Sequence, residues 1–198
     1  MIKVAITGIM GSGKSTLSRM IRDMGYTVAD CDAISHEIMM RGQKGYQQCV
    51  DTFGEGILGK DREIDRKKLA SVVFSDEIQR KKLEAITHPV IRQKLMESAQ
   101  QCTDSLWFAE VPLLFETGMD KDYDEIITVS APLELLLQRL QQGRGYNREQ
   151  ALARLAAQMS LEEKVSRSTL EVVNDGDLSK MEKQIKKWIK EKRYGTEG

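Results

Sequence analysis

Residues 2–7 (IKVAIT) are mostly apolar and mostly β-branched, and they run straight into a glycine cluster, the pattern of a buried strand ending at a turn. The period then changes. Over residues 15–24, Leu17, Met20 and Ile21 fall on one helical face and Gly25 supplies a stop, which predicts a helix. Further strands are predicted at 26–29, 106–111, 125–129 and 170–173, the last running into the turn sequence Asn174-Asp175-Gly176. Strands separated by helices imply parallel pairing through right-handed crossovers. The predicted class is α/β, a five-stranded parallel sheet with flanking helices.

The spacing is uneven. Residues 30–105 separate the second and third strands, far more than one crossover needs. This stretch has helical pattern, with helices predicted at 67–74 and 76–86. Pro89 is expected to end the latter, push His88 out of the helical region and open the next helix. The chain therefore reads as one unit, 1–198, with a core (about 1–32, 103–138 and 168–198) and an inserted helical lobe (about 33–102). Residues of about 139–167 read as a lid: Arg139 ends a helix, 142–146 form a flexible turn, and Asn147 caps a helix carrying Arg148 and Arg154. Near the C-terminus, Met181, Ile185, Trp188 and Ile189 form an apolar stripe beside lysines, expected to dock on the core rather than on nucleic acid or a membrane.

Composition narrows the classes. Forty per cent hydrophobic and 30 per cent charged residues are ordinary for a globular chain. Thirty basic and 30 acidic side chains cancel, which removes the simplest case for a non-specific nucleic-acid binder. The balance hides local asymmetry. Residues 139–167 hold six basic residues against three acids, whereas 103–130 hold seven acids and one lysine. Cys31, Cys49 and Cys102 are odd in number and far apart, and there are two histidines, so a disulfide scaffold or His-rich metal site is disfavoured. No apolar run reaches the roughly 18 residues of a membrane span, and Lys3 and Thr7 interrupt any signal-like stretch. A cytoplasmic protein with no membrane, nucleic-acid or obligate protein partner is expected.

Chemistry concentrates first at Gly8-Ile9-Met10-Gly11-Ser12-Gly13-Lys14-Ser15, which fits G-x-x-x-x-G-K-[ST], the Walker A pattern. Glycines let the backbone bring N–H groups close to phosphate oxygens, and the helix opening at the lysine adds its positive end. Gly11, Ser12, Gly13, Lys14, Ser15 and Thr16 are the candidate ATP-binding residues. Lys14 would place a cation on the β- and γ-phosphates, and Ser15 would complete the coordination of Mg²⁺. The motif follows a predicted strand and opens a helix, the context that the pattern requires.

A Walker A loop does not by itself separate kinases, ATPases and switches. A guanine-specific switch should carry N-K-x-D, which is missing; Asp51-Thr52-Phe53-Gly54 fits only the loose D-x-x-G. Asp30 and Asp32 follow the second strand, where functional groups of open α/β sheets gather. Such carboxylates could orient an acceptor hydroxyl, accept its proton or bind Mg²⁺ water; the plainer alternative is a helix cap.

Several segments together resemble the dephospho-CoA kinase family. They are Asp30-Cys31-Asp32-Ala33-Ile34-Ser35-His36, then Ile64-Asp65-Arg66 leading to Leu69 and Val73-Phe74, then His88-Pro89-Val90-Ile91, and Val111-Pro112-Leu113-Leu114-Phe115-Glu116. The resemblance implies a P-loop kinase that transfers the γ-phosphoryl of ATP to the ribose 3′-hydroxyl of dephospho-CoA, with Asp32 as catalytic residue and Asp30 supporting it. It makes the helical lobe the acceptor domain, with Phe53, Arg66, His88 and Leu113 bordering the acceptor. For Arg66 the plainer reading is an ion pair with Asp65 or Glu63; for His88 it is a helix-cap or packing role. Relatives carry Arg-Asp where this chain has Gly143-Arg144, so both Arg139 and Arg144 are candidates for the lid arginine. A nucleoside monophosphate kinase, or a P-loop ATPase or switch, are the alternatives.

Overall fold

In a computed structural model, which describes residues 1–74 and 76–195, the N-terminal apolar run forms β1 (Ile2–Thr7) at the centre of a sheet. Around it lie β2 (Val28–Asp30), β3 (Leu106–Glu110), β4 (Glu125–Ser130) and β5 (Leu170–Val173), in the order β2-β3-β1-β4-β5. Strand β1 pairs in parallel with β3, from Ile2 opposite Leu106 to Ile6 opposite Glu110, and with β4 on its other side. Strand β4 pairs in parallel with β5. With the central strands covered on both faces, near-continuous apolar sequence is what they need. All five residues of β3 are buried.

The chain divides into two compact units. One comprises Met1–Ala29 with Cys102–Gly198, the other Asp30–Gln101. In the first, α1 (Lys14–Asp23) and α9 (Leu178–Tyr194) pack on the sheet. Leu17 and Ile21 join Met181, Ile185, Trp188 and Ile189 around Val4, Ile6, Phe108 and Val129. The C-terminal stripe is thus a core face. The same unit holds α6 (Leu133–Arg144), α7 (Arg148–Ala156) and α8 (Leu161–Ser166). Helix α7 opens on a reciprocal cap: Gln150 N donates to Asn147 Oδ1 at 2.8 Å, and Asn147 N donates to Gln150 Oε1 at 3.0 Å.

The second unit contains α2 (Cys31–Glu37), α3 (Lys44–Phe53), α4 (Arg66–Phe74) and α5 (Glu77–Gln101) around Cys49, Ile57, Leu58 and Leu69. Asp65 and Asp76 cap the last two, each accepting two backbone N–H bonds.

Two local expectations are overturned. Pro89 lies inside α5, and His88 is an interior, half-buried helical residue, not a cap. A mid-helix proline forfeits one hydrogen bond and crowds the preceding turn. Thr87, Ile91, Leu95 and Ala99, four residues apart, are all buried, and that continuous face keeps the helix running. Nor does Arg139 end a helix: α6 continues through Gly143 and Arg144 to Gly145, whose φ of +69° provides the left-handed stop. Among the described residues no helix is long and apolar enough to cross a membrane.

Candidate active site

The Walker A loop leaves the carboxyl end of β1 and closes on itself. Ser12 N donates to Ile9 O at 3.2 Å, while Gly13, at φ +103°, caps α1 and receives Thr16 N and Leu17 N, both at 3.1 Å. Gly13 tolerates no side chain. An added Cβ would sit 2.0 Å from Asn174 Nδ2, and the positive φ would strain any L-residue. Lys14 Nζ donates to Gly8 O (3.1 Å) and Ile9 O (3.0 Å), the loop's own carbonyls. Ser12 is fully buried, and its Oγ has no hydrogen-bond partner among the described residues.

Three residues not placed in the site from sequence support this loop. Glu110, the last residue of β3, is buried, and it accepts from Ser15 Oγ at 3.1 Å and Ser18 Oγ at 2.7 Å. A lone carboxylate in the apolar run Leu106–Val111 was its sequence signal. Asn174, 2 % exposed, donates from Nδ2 to Ser12 O at 2.8 Å. Both ends of its side chain are spent on the loop and on Arg139. Gln158, between α7 and α8, accepts from Met10 N at 3.0 Å. Nothing local in the sequence marks it.

Arg139 joins the same group. It donates to Gly11 O at 3.1 Å and to Asn174 Oδ1 at 2.9 Å, with a longer contact to Ser12 O at 3.4 Å. Of the two candidate lid arginines it is the one tied to the loop; Arg144 is the exposed last residue of α6. Arg148 forms a two-pronged pair with Glu134 (2.9 and 2.7 Å), whose hydrogen bonds hold the Glu134 carboxyl below its ordinary range. Arg154 lies 5.8 Å over the Tyr146 ring. These two arginines belong to the solvated face of α7.

Leu113 is 45 % exposed in the turn after β3, flanked by buried Val111, Leu114 and Phe115. Lys164 donates to Pro112 O at 3.2 Å and meets Glu116 at 2.8 Å, tying α8 to that turn.

In the helical unit, Asp30 is the N-cap of α2: its Oδ1 accepts from Asp32 N (2.9 Å) and Ala33 N (3.1 Å). The Asp32 side chain is exposed in the first turn. One turn later, His36 Nδ1 meets Arg66 NH2 at 2.6 Å, so Arg66 pairs with His36 instead of Asp65 or Glu63. Phe53 packs against the lobe core, and His88 stands on α5.

Cys31 lies between the two aspartates, and its thiol is pushed up to about 12, first by burial and then by the charges of Asp32 and Asp30. Burial likewise raises Cys49 to about 11. Deprotonation therefore starts well above neutrality, and both thiols stay protonated at pH 8. Iodoacetamide at pH 8 is expected to leave Cys31 and Cys49 unlabelled in the native protein and to label them after denaturation, as read by mass spectrometry. Rapid native labelling of Cys31 would contradict this environment.

Residues 2–180 match the family model described as dephospho-CoA kinase. A dephospho-CoA kinase from Bacillus licheniformis is 38% identical over 185 residues, covering 92% of each chain. Among solved structures, TT1252 from Thermus thermophilus is 38% identical with a TM-score of 0.84, over 96% of this chain and 97% of that one. A dephospho-CoA kinase from Campylobacter jejuni is 30% identical with a TM-score of 0.74, over 98% of both.

Proposed function

We infer the roles of individual residues from one premise: the chain belongs to the dephospho-CoA kinase family. It is a transferase that uses ATP to phosphorylate dephospho-CoA, forming coenzyme A and ADP. The observation that carries the residue assignments is the Walker A loop, backed by Glu110, Asn174 and Arg139 and opening α1.

In this reading the backbone N–H groups of Gly11 to Thr16 hold the ATP phosphates at the start of α1. Lys14 leaves the carbonyls of Gly8 and Ile9 for the β- and γ-phosphates, which are better acceptors for an ammonium. The donor set at Ser15 fits Mg²⁺: a hydroxyl and a carboxylate, both hard oxygen ligands, meet at 3.1 Å. Ser15 would bind the ion directly and Glu110 would hold one of its waters. Bound there, Mg²⁺ supplies charge neutralisation to the transferring phosphoryl group. Arg139, and Arg144 by its place at the end of α6, add positive charge from the lid side.

Asp32 orients the ribose 3′-hydroxyl of dephospho-CoA and takes its proton as the new bond forms. Asp30 fixes the first turn of α2 from which Asp32 projects, and Phe53, Arg66, His88 and Leu113 border the acceptor. A loose transition state needs position more than early deprotonation, which suits a carboxylate set on a capped helix turn.

The test is ADP release from ATP and Mg²⁺ with dephospho-CoA, with a panel of nucleoside monophosphates, and with no acceptor. Dephospho-CoA alone should support turnover, and the product should carry the new phosphate on the 3′-oxygen. Preference for a nucleoside monophosphate, or turnover without acceptor, would overturn the assignment. Glu110→Gln is expected to raise the Mg²⁺ concentration for half-maximal rate about tenfold, because a neutral amide holds a metal-bound water less well. An unchanged Mg²⁺ dependence would take Glu110 out of the metal site.

A further inference from the structure

The peptide unit joining Ile9 to Met10 in the Walker A loop is gripped at both of its polar ends. Its carbonyl, Ile9 O, accepts from Ser12 N at 3.2 Å and from Lys14 Nζ at 3.0 Å. Its N–H, on Met10, donates to Gln158 Oε1 at 3.0 Å. The unit is planar and trans, so its C=O and N–H point in opposite directions and turn together about the flanking bonds. Whatever fixes the direction of the Met10 N–H therefore also fixes where Ile9 O meets the Lys14 ammonium.

Gln158 is well placed to do this. It is half-buried between α7 and α8, and the residues after it are tied down in turn. Met159 N donates to Glu116 Oε1 at 3.2 Å, and Ser160 Oγ accepts from Glu163 N at 3.1 Å. The side chains flanking the peptide sit on the same helices. Ile9, 6 % exposed, packs with Leu155 and Leu161 on either side of Gln158, and Met10 packs against Leu137, Leu140 and Ala151. Apolar packing brings the backbone to this place but does not choose which way a peptide faces; a hydrogen bond does. Without the Gln158 acceptor, the Met10 N–H would turn to seek another partner and carry Ile9 O away from Lys14.

We propose that Gln158 is a positioning residue for Lys14, acting through the Ile9–Met10 peptide to park the ammonium beside the phosphate cradle before ATP arrives. The inference rests on the reading of the loop as the ATP site and adds to it a residue 148 positions from Met10. A free lysine side chain gives up rotamer freedom when it closes on a phosphate. A parked one has given it up on folding, which leaves more of the contact energy for ATP. Exchange of carbonyl for phosphate oxygen then runs toward the phosphate, the stronger partner for an ammonium.

The first test reads Lys14 itself. In the full-length, ATP-free protein, acylation of Lys14 by an N-hydroxysuccinimide ester is followed by mass spectrometry against the exposed Lys187 as internal reference. Gln158→Leu, which has no acceptor, and Gln158→Asn, one methylene too short, should each speed acylation of Lys14 about threefold or more. Gln158→Glu keeps an oxygen at the same reach and should label as slowly as wild type. The second test is calorimetric binding of the non-hydrolysable β,γ-imido analogue of ATP with Mg²⁺. Gln158→Leu should weaken it about fivefold, but by less than about twofold in a Lys14→Met background, where there is no ammonium to park. Unchanged Lys14 labelling in Gln158→Leu and Gln158→Asn would overturn the inference, and so would fast labelling in Gln158→Glu. Equal losses of binding with and without Lys14 would overturn it as well, since Gln158 would then act independently of the lysine. Failure of wild type to bind the analogue would instead strike the reading of the loop as the ATP site.

Discussion

Replacing Asp32 by Asn is expected to lower kcat about 100-fold or more and to leave the KM for ATP close to wild type. The substitution keeps the size of the side chain and one carbonyl oxygen but removes the negative charge and the basicity. Asp30 Oδ1 holds the backbone N–H groups of Asp32 and Ala33, so the first turn of α2 depends on residue 30 and not on the side chain at 32. The Asp32 side chain is also exposed, and folding should be indifferent to the change. A loss confined to kcat would mark a group that acts on the hydroxyl in the transition state rather than on bound ATP. Asp30→Asn is the companion control. An amide oxygen can still cap, so its defect should be smaller than that of Asp32→Asn. Near-wild-type turnover by Asp32→Asn would remove Asp32 from the catalytic role, and a tenfold rise in the ATP KM would move it to the donor side.

What could be read in advance follows the range of the interactions. The strands and the Walker A loop are written in contiguous residues, so short apolar β-branched runs, turn signals and glycine spacing place them to within two residues. The support of the loop is not local. Ser15 meets Glu110 across 95 positions, and Ser12 meets Asn174 across 162, which a one-dimensional pattern cannot join. Pro89 shows the opposite failure: a correct local rule was outweighed by a buried face contributed from Thr87 to Ala99. Gly143 reads as a loop residue in the sequence, yet it lies in the last turn of α6, and the left-handed position that needs glycine falls at Gly145. Arg66 illustrates a third case. Neighbouring acids suggested an ion pair, but Asp65 is committed to capping α4, which leaves the guanidinium to His36, 30 residues away.

The largest stability effect is expected at Glu116, which lies outside the chemistry. The side chain of Lys164 is 0% exposed and that of Glu116 24%, with 2.8 Å between them. Glu116 also accepts from Met159 N at 3.2 Å, so one carboxylate ties the Pro112–Phe115 turn to the segment before α8. The ammonium lies 5.9 Å over the Phe115 ring and donates to Pro112 O, partners that cannot neutralise it. Glu116→Leu would therefore leave a buried cation without its counter-charge, which costs about 3–5 kcal/mol. For a chain of this length that corresponds to a fall in Tm of roughly 10 °C. Lys164→Met should cost less, because the remaining carboxylate is partly exposed and can turn toward water. The double variant Lys164→Met with Glu116→Leu should recover much of the loss, since two apolar side chains fill the space with no stranded charge. Thermal unfolding of the three variants separates a buried-charge penalty from loss of packing. If Glu116→Leu and Lys164→Met cost the same and their effects add in the double variant, the pair contributes packing alone and the electrostatic account fails.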